Sequence, residues 1–234
     1  MKAAVYGATR NVYGDLIAPI KSLMLNSDVD QIYVLTEDDS IDPFKLPKEV
    51  KFINVSDQKF FKPDGANYSQ RWTWMTLMRI ALCHIFPQMD KIVWFDNDTI
   101  VQKDISDLWD IDLGDCYVAG VKEPQQSRRN LYINAGVLVF NLELLREGKA
   151  DEMIRVLNRQ KLAYPDQDVI NCLCQGYIKE IPSIYNVYDQ TTSTDDQRVI
   201  HLAGKWNFSS DPIVKKYREI PWIAVEKKRR KSEM

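Results

Sequence analysis

The feature that most constrains this chain is a five-residue run, Lys91-Ile-Val-Trp-Phe95, which is almost wholly apolar and stops abruptly at Asp96-Asn97-Asp98. A strand without polar alternate positions has no solvent face, so it predicts a sheet covered on both sides, as parallel sheets in α/β proteins are. Two carboxylates two residues apart at the end of such a strand repel each other, and desolvating them costs several kcal/mol. A divalent cation removes both penalties. Turn-forming or capping aspartates are the plainer alternative, and the apolar run leading into the pair argues against it by making the position deep.

Elements on either side extend the same pattern. Alternating or apolar runs predict strands over 2–6, 31–35, 51–55, 116–121, 137–140 and 199–202. Helical spacing predicts helices over 15–25, 71–86 and 166–174, and over 142–159 with an interruption near Gly148. The Pro, Gly and Asn content of 57–69 predicts a loop. Strands separated by helices build a mostly parallel, doubly wound sheet, and such sheets bind ligands beyond the carboxyl ends of their strands. Asp96 stands at such an end.

At 234 residues with 45% hydrophobic and 27% charged content, one globular domain accommodates the whole chain. No run approaches the roughly 20 apolar residues of a membrane span. The N-terminus is too short in apolar length for a secretory signal, which predicts a cytoplasmic protein. A net charge of −2 gives no reason to expect nucleic acid. The four cysteines, Cys83, Cys116, Cys172 and Cys174, lack the Cys-x-x-Cys spacing of redox and zinc sites and read as reduced, mostly buried thiols. With only two histidines, His84 and His201, a metal site must lean on carboxylates, which suits Mg2+ or Mn2+ better than Zn2+. The cluster Lys227-Lys228-Arg229-Arg230-Lys231 reads as a solvated basic tail, or as a weak contact with an anionic membrane at about 1 kcal/mol per basic residue.

Two enzyme classes use an Asp-x-Asp pair at a strand end. In one, the pair holds a metal that bridges a nucleotide-sugar diphosphate. In the other, the haloacid-dehalogenase type of phosphatase, Asp96 would be a nucleophile and a following threonine would assist. Thr99 stands one place early for that role, and such a motif normally ends the first strand, whereas roughly 90 residues precede it here. Context therefore favours the sugar transferase. A third, non-enzymatic reading is a sugar-nucleotide-binding protein.

Four segments in order decide the resemblance. Arg79-Ile80 with Lys91-Ile-Val-Trp-Phe-Asp96-Asn-Asp98-Thr-Ile-Val comes first, then Tyr132-Ile-Asn134-Ala135-Gly136, then Tyr164-Pro165-Asp166-Gln167-Asp168, and finally His201-Leu-Ala-Gly204-Lys205-Trp206. Together they resemble glycosyltransferase family 8, which includes glycogenin and bacterial lipopolysaccharide galactosyltransferases. The resemblance implies a GT-A fold: Rossmann-like, with a mostly parallel central sheet flanked by helices and a small additional antiparallel element. It implies one catalytic domain over 1–223, with a nucleotide-binding half over about 1–100, a sugar and acceptor half over about 101–210, and a basic tail over 224–234.

The resemblance further implies a Mn2+-dependent (Mg2+ as second choice), retaining transfer of a hexose, glucose or galactose, from a UDP-sugar to a hydroxyl of a carbohydrate or glycoconjugate. Asp96, Asp98 and His201 would hold the metal, while Gly204 and Lys205 would meet the diphosphate. Arg79 and Asn97 would lie beside the donor. Asn134, Ala135, Asp166 and Gln167 would line the sugar pocket, with Asp166 accepting from hydroxyls and Gln167 beneath the anomeric carbon. Ala8, Thr9 and Tyr13 would receive the base. An amide is a poor nucleophile, so the arrangement implies front-face substitution, with the leaving diphosphate taking the acceptor proton. Plainer roles exist for several of these residues: a core hydrogen bond for His201, a turn for Asn134, a helix cap for Asp166, and core packing for Trp72 and Trp74. The chain departs from the family in lacking Pro before Trp206 and in carrying Arg10 near the base. Segments 57–69 and 122–131 are the candidate acceptor loops.

Overall fold

The computed structural model describes residues 1–232 except 42–45, 48, 70–72, 127–129, 190–194 and 204–207. Nine strands lie among the described residues: β1 (Ala3–Ala8), β2 (Gln31–Thr36), β3 (Val50–Asn54), β4 (Lys91–Phe95), β5 (Thr99–Val101), β6 (Val118–Lys122), β7 (Ile133–Asn141), β8 (Ile178–Ile181) and β9 (Val199–His201). Seven form one sheet in the order β3-β2-β1-β4-β7-β6-β8, while β5 and β9 form a separate antiparallel pair. Within the large sheet only β7 runs against its neighbours, β4 and β6. This is the mostly parallel sheet with a small antiparallel element that the resemblance implies.

Alternation along the strands sends their side chains into two cores. From β1, Ala3 and Val5 enter one core and Ala4, Tyr6 and Ala8 the other; from β4, Ile92 and Trp94 enter the first and Val93 and Phe95 the second. All four β4 side chains are buried, each worth about 2 kcal/mol or more. That burial fixes the register at which the chain leaves the sheet at Asp96, because a one-residue slip would exchange the two faces.

Helices cover both faces: α1 (Ile17–Asn26), α2 (Leu82–Ile85), α3 (Leu142–Leu144), α4 (Ala150–Arg159), α5 (Pro165–Leu173), α6 (Pro212–Glu219) and α7 (Trp222–Ser232). Between α3 and α4 the helical chain over Leu145–Lys149 is kinked at Gly148, which takes φ 109°, the interruption expected there. None of the described helices is long and apolar enough to cross a membrane.

Three expectations need correction. The helix expected over 71–86 is, where described, a 3-10 helix from Trp74 to Ala81 that becomes α-helical only at α2. Strands β5 and β8 and helix α6 were not expected; β5 and β8 are three and four residues long, too short for a period to register. Most of 224–232 lies in α7, where Val225 is buried in the core and Trp222 lies 4.8 Å beneath the Lys21 ammonium. Finally, Cys172 is exposed rather than buried.

Candidate functional site

The chain turns sharply where β4 ends. The Asp96 amide donates to Gly136 O at 2.8 Å, and both the amide and the hydroxyl of Thr99 donate to Asp96 O. Thr99 thus closes the turn that starts β5, so its hydroxyl is engaged by backbone and not presented to a substrate. β5 then pairs with β9 so that Thr99 faces His201, and the Leu202 amide donates to Asp98 O. About a hundred residues of intervening chain end with His201 Nε2 lying 3.2 Å from Asp98 Oδ1 and 3.8 Å from Asp96 Oδ2. One ligating atom from each of the three residues lies within 4.8 Å of the others. Two carboxylates and an imidazole form a donor set suited to Mn2+ or Mg2+.

Gly136 makes room for this group. A Cβ there would stand 2.3 Å from His201 Nδ1 and Cε1. The glycine of Asn134-Ala135-Gly136 is therefore a close-approach glycine that lets the imidazole lie against β7.

Arg79 connects the carboxylates to the rest of the cleft. Its side chain is 3% exposed. It donates to Asp96 Oδ1 at 2.8 Å, to Ala135 O at 2.6 Å and to Thr76 O at 3.0 Å, and it pairs with Asp166 Oδ2 at 3.0 Å. Its guanidinium also lies 4.7 Å over the Trp94 ring, whose Nε1 donates to the same Asp96 oxygen. Burial raises the Asp166 pKa against the opposing pull of Arg79. For His201, burial favours the neutral ring, but Asp98 and Asp96 outweigh it and hold the pKa above its ordinary value. The 3-10 geometry eclipses residues three apart, which brings Thr76 and Arg79 to the same cleft.

Asn134, Ala135, Asp166 and Gln167 line that cleft with the three ligand candidates. The Gln167 amide is fixed at both ends: Oε1 accepts from the Ala135 amide at 2.9 Å, and Nε2 donates to Glu123 Oε2 at 2.8 Å. Asn134 Oδ1 accepts from the Gly136 amide and from Asn186 Nδ2. Asp168 accepts from the Tyr132 hydroxyl and the Tyr164 amide, which braces the start of α5. Asp166, offered a plain capping role, lies inside α5, and the N-cap is Tyr164.

Ala8, Thr9 and Tyr13 lie elsewhere, at the carboxyl end of β1 and in the 3-10 turn Arg10–Leu16. Thr9 donates to Asn11 Oδ1, and Tyr13 donates to Asp38 Oδ1 at 3.3 Å. Asn97 is half-buried and does not line the cleft. Gly204 and Lys205 lie outside the described residues, as do Trp72 and Trp206. Of the two candidate acceptor loops, 122–131 brings Glu123 into the cleft, whereas 57–69 is bound to α4: the Lys62 amide donates to Asn158 Oδ1, and Asn67 Nδ2 donates to Leu157 O.

Sequence reasoning missed Glu123 and Asn186. Glu123 directly follows β6, so the rule that ligands gather at carboxyl ends of strands was a signal for it. Asn186 stands alone between Tyr185 and Val187, with no motif around it.

Residues 18–207 match the family model described as Glycosyl transferase family 8. A putative glycosyltransferase of Haemophilus influenzae is 27% identical over 126 residues, covering 47% of this chain and 38% of that protein. Lipopolysaccharide 1,2-glucosyltransferase of Escherichia coli is 30% identical over 113 residues, covering 42% and 33%. The chain thus spans well under two thirds of the length of these curated relatives. Among solved structures, galactosyltransferase LgtC in complex with donor and acceptor sugar analogs superposes with TM-score 0.69 at 20% identity, over 95% of this chain and 99% of that one. Glycosyltransferase GlyE of Streptococcus pneumoniae gives TM-score 0.74 at 19% identity, over 99% and 64%. At these identities the superpositions establish the fold, which is that of GT-A glycosyltransferases.

Proposed function

The chain belongs to glycosyl transferase family 8, and from that premise we propose that it transfers a hexose, glucose or galactose, from a UDP-sugar to a hydroxyl of a carbohydrate acceptor. The proposed transfer retains the anomeric configuration and depends on Mn2+, with Mg2+ as the second choice. The observation that carries the reading is the convergence of Asp96, Asp98 and His201 in the cleft that also holds Asp166 and Gln167. The choice of hexose draws on relatives whose names specify a glucosyltransferase and a galactosyltransferase.

In this reading the three residues hold the cation, which when bound would neutralise charge on the departing diphosphate. Everything else belongs to the chain. Arg79 pairs with Asp96 and Asp166 and orients both in a largely buried site. Asp166 accepts from donor hydroxyls, and Asn134 and Ala135 border the sugar. Gln167 Oε1 already accepts a backbone N–H, so its lone pairs are poorly placed to attack the anomeric carbon, which favours front-face substitution. The bond from the anomeric carbon to the diphosphate oxygen breaks as the bond to the acceptor oxygen forms on the same face, and the acceptor proton passes to the leaving oxygen. The protein contributes positioning and electrostatics.

Incubation with UDP-glucose or UDP-galactose and Mn2+ tests this. The expected result is UDP release with sugar transfer that EDTA abolishes. Phosphate release from a phosphomonoester without nucleotide-sugar turnover would overturn it. The proposal extends to a cytoplasmic enzyme in weak contact with anionic membrane through α7, where Lys227 and Lys228 are exposed. Unchanged binding to anionic vesicles after Lys227→Glu and Lys228→Glu would rule that contact out.

A further inference from the structure

Asn186 is fully buried, belongs to no strand or helix, and touches His201 on the side away from the carboxylates. It is held there by backbone: its amide donates to Ser183 O, and the next residue, Val187, bridges to Ile200 alongside β9. The side-chain amide bonds at both ends. Nδ2 donates to Asn134 Oδ1 at 2.8 Å, and Oδ1 lies 3.0 Å from His201 Nδ1.

The direction of every proton in this chain of bonds follows from its far end. The Gly136 amide can only donate, and it donates to Asn134 Oδ1 at 2.9 Å. The Glu123 carboxylate lies 3.4 Å from Asn134 Nδ2 on the other side. Asn134 therefore presents its oxygen to Asn186, Asn186 presents its nitrogen to Asn134, and the Asn186 oxygen is left facing the imidazole. An amide oxygen has no proton to give, so the proton in that contact belongs to His201 Nδ1.

We propose that Asn186 is a positioning residue: by accepting the Nδ1 proton of His201, it fixes the ring so that Nε2 faces Asp96 and Asp98 and is the nitrogen that gives up its proton to bind a divalent cation. The inference rests on the proposed metal role of the three residues. Outer partners of this kind fix the tautomer and orientation of metal-binding histidines. The same bonds run from Glu123, which holds Gln167, through Asn134 and Asn186 to His201, so the sugar pocket and the metal position share one frame.

Two measurements test it. Mn2+ affinity, followed by calorimetry with UDP present, falls about 10–100-fold in Asn186→Leu, because the Nδ1 proton is left buried without an acceptor. In the unsubstituted protein saturated with diamagnetic Zn2+, a ring-nitrogen spectrum shows a solvent-protected proton on His201 Nδ1 and none on Nε2. Only two histidines are present, and His84 is half-buried beside Asp151, away from the cleft, so the signals separate. A His201 Nδ1 proton that exchanges freely with solvent, or an Asn186→Leu protein that binds Mn2+ as tightly as its parent, overturns the inference while leaving the metal site standing. If the parent binds no divalent ion, the metal reading fails and takes the inference with it. Should Asn186→Leu not fold, the spectrum of the parent decides alone.

Discussion

The two ends of the proposed donor site are built differently. At the carboxylate end, Arg79, Asp166, Asn186 and His201 are buried, and the side chains are tied to one another or to backbone by several short bonds each. At the turn after β1, Arg10 is 68% exposed and rests on the Asp38 carboxylate, which also accepts from Tyr13 and Ser40. Ser40, and after it Arg10, hold the Asp38 carboxyl down to about 2. An exposed pair in water contributes little, whereas a buried ion pair cannot lose one partner cheaply. The first end is therefore a preorganised frame and the second an adaptable rim.

Loss of a metal ligand gives the largest effect expected at the frame. Asp96→Ala, Asp98→Ala and His201→Ala each lower turnover by on the order of a thousandfold and share one phenotype, lost dependence on Mn2+, read from rates across a metal titration. Next comes Arg79→Met, which leaves Asp96 and Asp166 facing each other without a cation. Denaturant unfolding should register a loss of about 3 kcal/mol, and a midpoint like that of the parent would show that the ion pairs matter less than their burial suggests.

Gln167→Ala lowers kcat by roughly a hundredfold without abolishing transfer. A glycosyl adduct on Gln167 of the unsubstituted enzyme, detected by mass spectrometry, would end the front-face mechanism. Gly136→Ala drives a methyl into the His201 ring and costs about 2 kcal/mol, with weakened metal binding as its companion; a calorimetric metal affinity equal to that of the parent would contradict the close approach. At the rim, Arg10→Ala leaves kcat unchanged and moves the donor KM by no more than about threefold. A larger change there would erase the contrast between the two ends.

Much of the frame was legible because short-range signals carried it. The apolar run of β4 announced a strand with two covered faces, and Gly148 marked the break before α4. Glu123 was within reach of the same logic, since it follows a strand end. The 3-10 form of Trp74–Ala81 was not legible, because apolar residues three and four apart fit that helix and an α-helix about equally well.

What the sequence determined by itself was the strand that ends in two aspartates and the identity of the groups such a pair can accept, because burial, charge and ligand chemistry act through residues adjacent in the chain. What only the tertiary structure decided was which atoms meet them. Three residues of β5 pair with three of β9, and that ladder brings His201 across from Thr99. Gly136 opens the space it occupies, and Asn186, placed by the bridge of its neighbour Val187 to Ile200, faces its far nitrogen. Such meetings depend on backbone pairing between segments far apart in the chain, where no local pattern records which partner lies opposite.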